Sequence, residues 1–303
     1  MIRKNTFPVA FGLLLSLLLI GCDAMDRQIV IELPEPERLL MVECYLEPGQ
    51  PYRLLLTETK GYFEELTACP LVKGATVIIK HGAVSDTLVE TPYFSDNCPP
   101  DSLFGILPLY TNADFTRIYN YGSSTICNFD LNEPYELEII DHLGNRNATA
   151  STKFLPIVPI DEIQLRWENN GTGDKASALV TALDDGNTVD FYRLMLHDSS
   201  LTLNFGIAKD PEFDLSIDDA RFFDEGGKIA FGTNFDYEEN DTLIATIYHI
   251  EKVYHDFLET LSDAQNANFS PFSQPSKIIT NIEGGIGIFT TLSGDRDTVA
   301  VIK

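Results

Sequence analysis

The chain has 303 residues, enough for about two compact domains. Its 21 Lys and Arg are set against 46 Asp and Glu, and the net charge of −25 repels phosphate backbones and anionic headgroups, which excludes nucleic-acid binding as a default. A composition of 44% hydrophobic and 22% charged residues, with 19 Phe and 12 Tyr, excludes disorder for the body of the chain. At the start, Arg3 and Lys4 precede an apolar run from Phe11 to Ile20, relieved only by Gly12 and Ser16. That run is about half of the ~20 residues a spanning helix needs, so it reads as a secretory signal and not as a membrane span.

The end of the run, Leu19-Ile20-Gly21-Cys22, resembles a bacterial lipobox. The resemblance implies that residues 1–21 are a signal peptide removed before Cys22, whose thiol carries diacylglycerol. An ordinary signal with an incidental cysteine is the alternative. Two or more acyl chains hold a protein firmly on a bilayer without a spanning helix. Residues 22–37, acidic and carrying Pro34 and Pro36, form a tether that reaches at most about 50 Å.

Period-two alternation then dominates, clearest in Tyr135-Glu136-Leu137-Glu138-Ile139. It predicts strands at 38–46, 52–58, 75–80, 86–91, 134–140 and 146–153, which together suggest a β-sandwich domain over 38–155. The stretch between Cys98 and Cys127, with Pro99, Pro100, Gly105, Pro108 and Gly122, reads as a loop. Pro156 and Pro159 mark a boundary that neither helix nor central strand tolerates. A second β-rich domain follows over 156–303, with strands at 161–168, 177–184, 190–197, 228–235, 241–249, 286–292 and 297–302. Its one helix, Glu251 to Ser262, carries Val253, Phe257, Leu258 and Leu261 as an apolar stripe that packs against a sheet. The expected fold class is therefore all-β, two β domains with one packing helix. Phe269 and Phe272 are a candidate contact surface or core aromatics, and Gly284, Gly285 and Gly287 mark a bend or a close backbone approach.

Beyond Cys22, four cysteines remain in an oxidising compartment. Cys44 shares a face with Leu40, Val42 and Leu46 and reads as a buried thiol. Cys98 with Cys127 is the favoured disulfide because it closes a long irregular segment, and Cys69 with Cys98 is the alternative. No metal site is expected, since Cys-x-x-Cys spacing is absent and the histidines are scattered. Gly-x-Ser-x-Gly and His-Glu-x-x-His are absent, His249 and His255 lie off i, i+4 spacing, and Gly285-Ile286-Gly287 lacks a dinucleotide setting. Asp210, Asp214, Asp218, Asp219, Asp224 and Glu225 do not match a calcium loop and read as a solvated acidic loop. The expectation is thus no enzyme, no cofactor and no catalytic residue. Four tripeptides, with Thr87, Ser102, Thr242 and Thr298 at their centres, resemble an Asp-Ser/Thr-aliphatic O-glycosylation acceptor. Ordinary strand sequence also produces them.

Taken together, Cys22, the strand Leu39 to Glu43, Gly74 to Ile79, Tyr135 to Ile139, the Pro156/Pro159 junction and Tyr192-Arg193 resemble a known family. The C-terminal block strengthens the likeness: Tyr254, Phe257 and Leu261, then Phe272, Pro275, Asn281 to Gly285 and Gly287 to Phe289. The family is the Bacteroidota lipoproteins carrying domain of unknown function 4249 (DUF4249). The resemblance implies an outer-membrane location, an immunoglobulin-like sandwich first, a second β-rich domain after it, and a TonB-dependent receptor as neighbour; it implies no established reaction. The expectation is an outer membrane, lipid-anchored binding component that works with such a receptor in nutrient capture. Confinement to the membrane plane would raise effective concentration near that partner. The alternative is a structural or adhesive surface lipoprotein with no transport partner. The ligand is not readable.

Overall fold

The computed structural model describes residues 37–61, 70–91, 119–169, 174–198, 213–218, 223–224, 228–234, 237–268 and 277–303. Cys22, Cys69, Cys98, Ser102, Asp210, Asp219, Glu225, Phe269 and Phe272 lie outside the described residues.

Alternation builds the first assembly. In β1 (Leu40–Leu46), Leu40, Val42, Cys44 and Leu46 point into one core, joined by Tyr52, Leu54 and Leu56 of β2 (Pro51–Glu58). Val77 and Ile79 of β3 (Thr76–His81), Leu88 of β4 (Val84–Glu90), and Tyr135, Leu137 and Ile139 of β6 (Tyr135–Asp141) add to it. With β5 (Tyr121–Ile126), β7 (Arg146–Thr152) and β15 (Gly285–Thr291) the sheet has eight strands in the order β15-β1-β2-β5-β4-β3-β6-β7. Thr149 and Glu283 exchange backbone hydrogen bonds of 2.9 and 2.8 Å, so the two ends of the sheet meet and its strands enclose a single core.

β5 corrects the expectation of a loop between Cys98 and Cys127. Its sequence, Tyr-Gly-Ser-Ser-Thr-Ile, has no apolar alternation, and the strand is held by its anchors instead. Buried Asn120 accepts from Leu56 N (2.7 Å) and donates to Leu56 O (2.9 Å) and Val72 O (3.1 Å), tying β5 to the backbone of β2 and of the segment at Val72. Tyr121, buried beside it, donates its hydroxyl to Val72 O at 3.0 Å.

The second assembly is a sandwich of two four-stranded sheets. One has the order β11-β10-β14-β16 and the other β12-β13-β9-β8, formed by β8 (Ile160–Asn169), β9 (Asp174–Leu183), β10 (Phe191–Asp198), β11 (Phe213–Asp218), β12 (Phe223–Asp224), β13 (Lys228–Gly232), β14 (Thr242–Ile250) and β16 (Ser293–Ala300). Ala176, Ala178, Val180 and Ala182 of β9 face Tyr192, Leu194 and Leu196 of β10 and Leu243, Ala245 and Ile247 of β14 across its core. The chain is mainly β, with one long helix among the described residues, α1 (Lys252–Asn268). That helix is not apolar enough to cross a membrane. It runs past the expected stop at Ser262, since neither Gly nor Pro occurs before Pro271 to break it. Its buried stripe is Tyr254, Phe257 and Leu261, while Val253 and Leu258 are half-buried.

The two assemblies share a third core. Tyr45 of β1 and Ile288 of β15 meet Met195, Tyr248 and Ile250 of the sandwich, with Tyr254, Phe257 and Leu261 of α1 packed among them. The proline junction carries no regular element and is pinned by polar contacts. Leu155 N donates to Ser293 Oγ (3.0 Å), Ile160 N to Asp295 Oδ2 (2.8 Å), and His249 Nδ1 lies 2.8 Å from Pro156 O. β15 crosses back from the C-terminal part to pair in parallel with β1.

Candidate functional site

The most chemically loaded surface lies where α1 covers the outer face of β10 and β11. β11 alternates: Phe213, Leu215 and Ile217 pack toward the sandwich core, and Asp214 and Ser216 take the other face. For Asp214, Asp218 and Asp224, which lie in strands, this corrects the reading as a solvated acidic loop; Asp210, Asp219 and Glu225 lie outside the described residues. In the ladder Arg193 of β10 stands directly opposite Ser216, with Asp214 one diagonal away.

Arg193 is 1% exposed. Its Nε donates to Asp214 Oδ1 at 2.8 Å, its second terminal nitrogen to Asp214 Oδ2 at 2.5 Å, and its first to the Tyr254 hydroxyl. Burial alone would lower its pKa, but the neighbouring Tyr254 and Asp214 hold it above its ordinary value. The guanidinium is therefore a fixed cation, and a two-pronged carboxylate is the partner that suits it. Burial pushes the Tyr254 phenol up to about 12 against the pull of Arg193, so it stays protonated at neutral pH.

Beside this pair, Ser216 Oγ lies 2.8 Å from His255 Nδ1. The far ring nitrogen, Nε2, is 3.6 Å from Glu259 Oε1, one helical turn on. His255 is 4% exposed and Glu259 51% exposed by side chain, so the trio runs from the interior to the surface. The Phe191 ring sits 4.9 Å from the imidazole, centroid to centroid. A cavity of about 550 Å³ opens here, a size suited to a small ligand. Arg193, Asp214, Leu215 and Ser216 line it from the sheet, and Leu258, Glu259, Ser262 and Asp263 from α1.

A buried carboxyl lies nearby. Glu43 points out of the first core from β1, between cross-strand partners Leu55 and Ile288, and is 6% exposed. Burial raises its pKa from 4.5 to about 8, and its charge is felt at Tyr45 and Tyr254.

Of the described residues singled out in the sequence, Cys44, Cys127, Thr87, Thr242 and Thr298 lie away from this cavity. Cys127 is a free, buried thiol in the first core, with Sγ 3.7 Å from the Tyr135 hydroxyl, and Cys44 is also free and buried. Burial pushes Cys127 up to about 11 and raises Cys44 as well, so neither offers a thiolate at neutral pH. Thr87 and Thr298 are exposed on β4 and β16, and Thr242 is half-buried at the start of β14. Asp214, one of the acids weighed for calcium, is spent on Arg193. Among the described residues no three His, Cys, Asp or Glu side chains gather as a metal site.

The family model described as "Domain of unknown function (DUF4249)" matches residues 26–297. The chain belongs to the DUF4249 family. No curated protein matches it. Among solved structures, this DUF4249 chain is similar to one titled "Cytokine receptor complex - Crystal form 1A", at 8% identity and a TM-score of 0.25 over 86% of this chain and 97% of that one. A second, "Cytokine receptor complex - Crystal form 2", aligns at 10% identity and a TM-score of 0.25 over 71% and 92%. At such scores neither bears on the fold or function of the DUF4249 chain.

Proposed function

We propose that this DUF4249 chain is a Bacteroidota outer-membrane lipoprotein that captures a ligand at the α1-covered cavity and works beside a TonB-dependent receptor. Acyl chains on Cys22 hold it at the bilayer. The observation that carries capture over a purely structural or adhesive role is the cavity itself. A spacer has no need of a buried Arg193 fixed on Asp214 and a hydroxyl-imidazole contact beside a ligand-sized opening. The shared third core supports a body that presents this site in one orientation.

Cys22→Ala tests the anchor. The unaltered chain is expected in the outer-membrane fraction, with an intact mass exceeding the polypeptide from Cys22 onward by a diacylglyceryl group and an acyl chain. The variant is expected in the soluble fraction without that excess. Equal membrane association of the two would contradict the proposal.

A further inference from the structure

We propose that Ser216 is an acyl-accepting nucleophile, that the buried His255 behind it is its general base, and that the cavity lined by Ser216 hydrolyses small, uncharged esters. The inference rests on the cavity of the capture reading but needs neither anchor nor partner. Three features carry it. Ser216 Oγ and His255 Nδ1 are 2.8 Å apart, the reach a base needs to take the hydroxyl proton. Glu259 faces the opposite ring nitrogen at 3.6 Å. It favours the tautomer that keeps the proton on Nε2 and leaves the Nδ1 lone pair to Ser216, and its charge stabilises the imidazolium formed on proton transfer. At 3.6 Å the contact is electrostatic and not a hydrogen bond. Third, Ser216 and Glu259 both line the cavity, so a carbonyl entering it meets the hydroxyl.

The lining sets the substrate class. Arg193 is committed to Asp214 and Tyr254, and the carboxylates of Glu259 and Asp263 stand on the α1 side, an arrangement hostile to anions. Leu258 offers a short apolar surface that suits a small acyl group and not a long chain. In the reaction Ser216 Oγ bonds to the ester carbonyl carbon while its proton passes to Nδ1. The carbon–oxygen ester bond then breaks and the alcohol leaves with that proton. Water, giving a proton to Nδ1, attacks the acyl-serine; the acid departs and Ser216 recovers its hydrogen. Atoms and charge balance with water as the sole co-reactant.

The test uses the full-length chain, purified in detergent, a fluorophosphonate probe and p-nitrophenyl acetate. The probe is expected to add covalently to the peptide bearing Ser216, and ester turnover is expected to vanish in Ser216→Ala. His255→Gln is expected to lower both labelling and turnover by about 100-fold or more. Glu259 is a positioning residue: Glu259→Gln is expected to lower kcat with KM little changed, and Glu259→Asp to restore part of kcat, a split and rescue that a merely structural role would not give. Adduct mapping on the unaltered chain decides the matter even if Ser216→Ala fails to fold. A natively folded chain with no adduct at Ser216, or with its adduct on another residue, would overturn the inference. Neither result would touch membrane anchoring, which the Cys22→Ala fractionation reads separately.

Discussion

Gly287→Val is expected to yield no soluble, folded chain, the severest outcome of any single substitution considered. Gly287 sits in β15 with φ +116°, and a Cβ there would lie 1.9 Å from Val42 O, a backbone atom that cannot swing aside. The backbone conformation alone costs a side chain roughly 1–3 kcal/mol. Relieving the overlap means pulling β15 off β1, which opens the first sheet and removes Phe289 from its core and Ile288 from the core shared with α1. The total exceeds the ~4–5 kcal/mol that marks exceptional mutations, against a stability of about 5–15 kcal/mol for a typical domain. Expression and circular dichroism check it, and a Val variant with native melting behaviour would show that β15 does not hold the sheet together.

Glu43→Gln is expected to change how stability depends on pH. The folded chain keeps the Glu43 proton up to about pH 8, whereas the unfolded chain releases it near the ordinary 4.5. Across that window the folded state binds more protons, so this group's contribution falls as pH rises from about 4.5 to about 8 and levels off above. By pH 7 the loss is on the order of 3 kcal/mol at 1.36 kcal/mol per pKa unit. Glutamine carries no such proton and removes that slope. Urea titrations of both proteins at pH 5 and pH 8 are expected to show the variant gaining on the parent by a few kcal/mol at the higher pH. Parallel pH profiles would mean that Glu43 is hydrated and ionised in the fold.

These two residues also show what a sequence carries and what it does not. The pairing of β6 with β7 and the Leu143-Gly144-Asn145 turn are local, and the alternation in Tyr135–Asp141 together with the positive φ of Asn145 states them directly. The glycines near 285 marked a bend or a close approach, without saying which, or that Val42 was the backbone approached. Alternation in β1 puts Glu43 on the face opposite Val42 and Cys44 and says nothing of what covers that face. Its outer face is closed by β15, β14 and α1, more than 200 positions away, and a second layer of that kind leaves no trace in the period of β1. β5 had no pattern to read, because Asn120 and Tyr121 hold it by hydrogen bonds and not by alternating apolar residues.

The candidate site was hidden for a different reason. Phe213, Leu215 and Ile217 did alternate, but the acids between them drew the eye, and a strand reading would have placed Asp214 and Ser216 on one face. Ser216 and His255 are 39 residues apart and meet only when α1 folds onto β11. Searches for contiguous motifs are blind to such a meeting, since nucleophile and base are defined by geometry and not by chain order. Tyr192-Arg193 entered the family likeness without a role; in the fold, Tyr192 supports the sandwich core and Arg193 forms the cavity wall.

The claim that joins anchor, cavity and family is that this chain works at a receptor in the outer membrane. The direct measurement is purification of the full-length lipidated chain from its native outer membrane in mild detergent, with Cys22→Ala as the unanchored control, and identification of what co-elutes. A TonB-dependent barrel in stoichiometric amount with the parent chain, and lost with the control, is the predicted result. Repeated elution of the lipidated chain alone would contradict it and leave a free-standing surface protein.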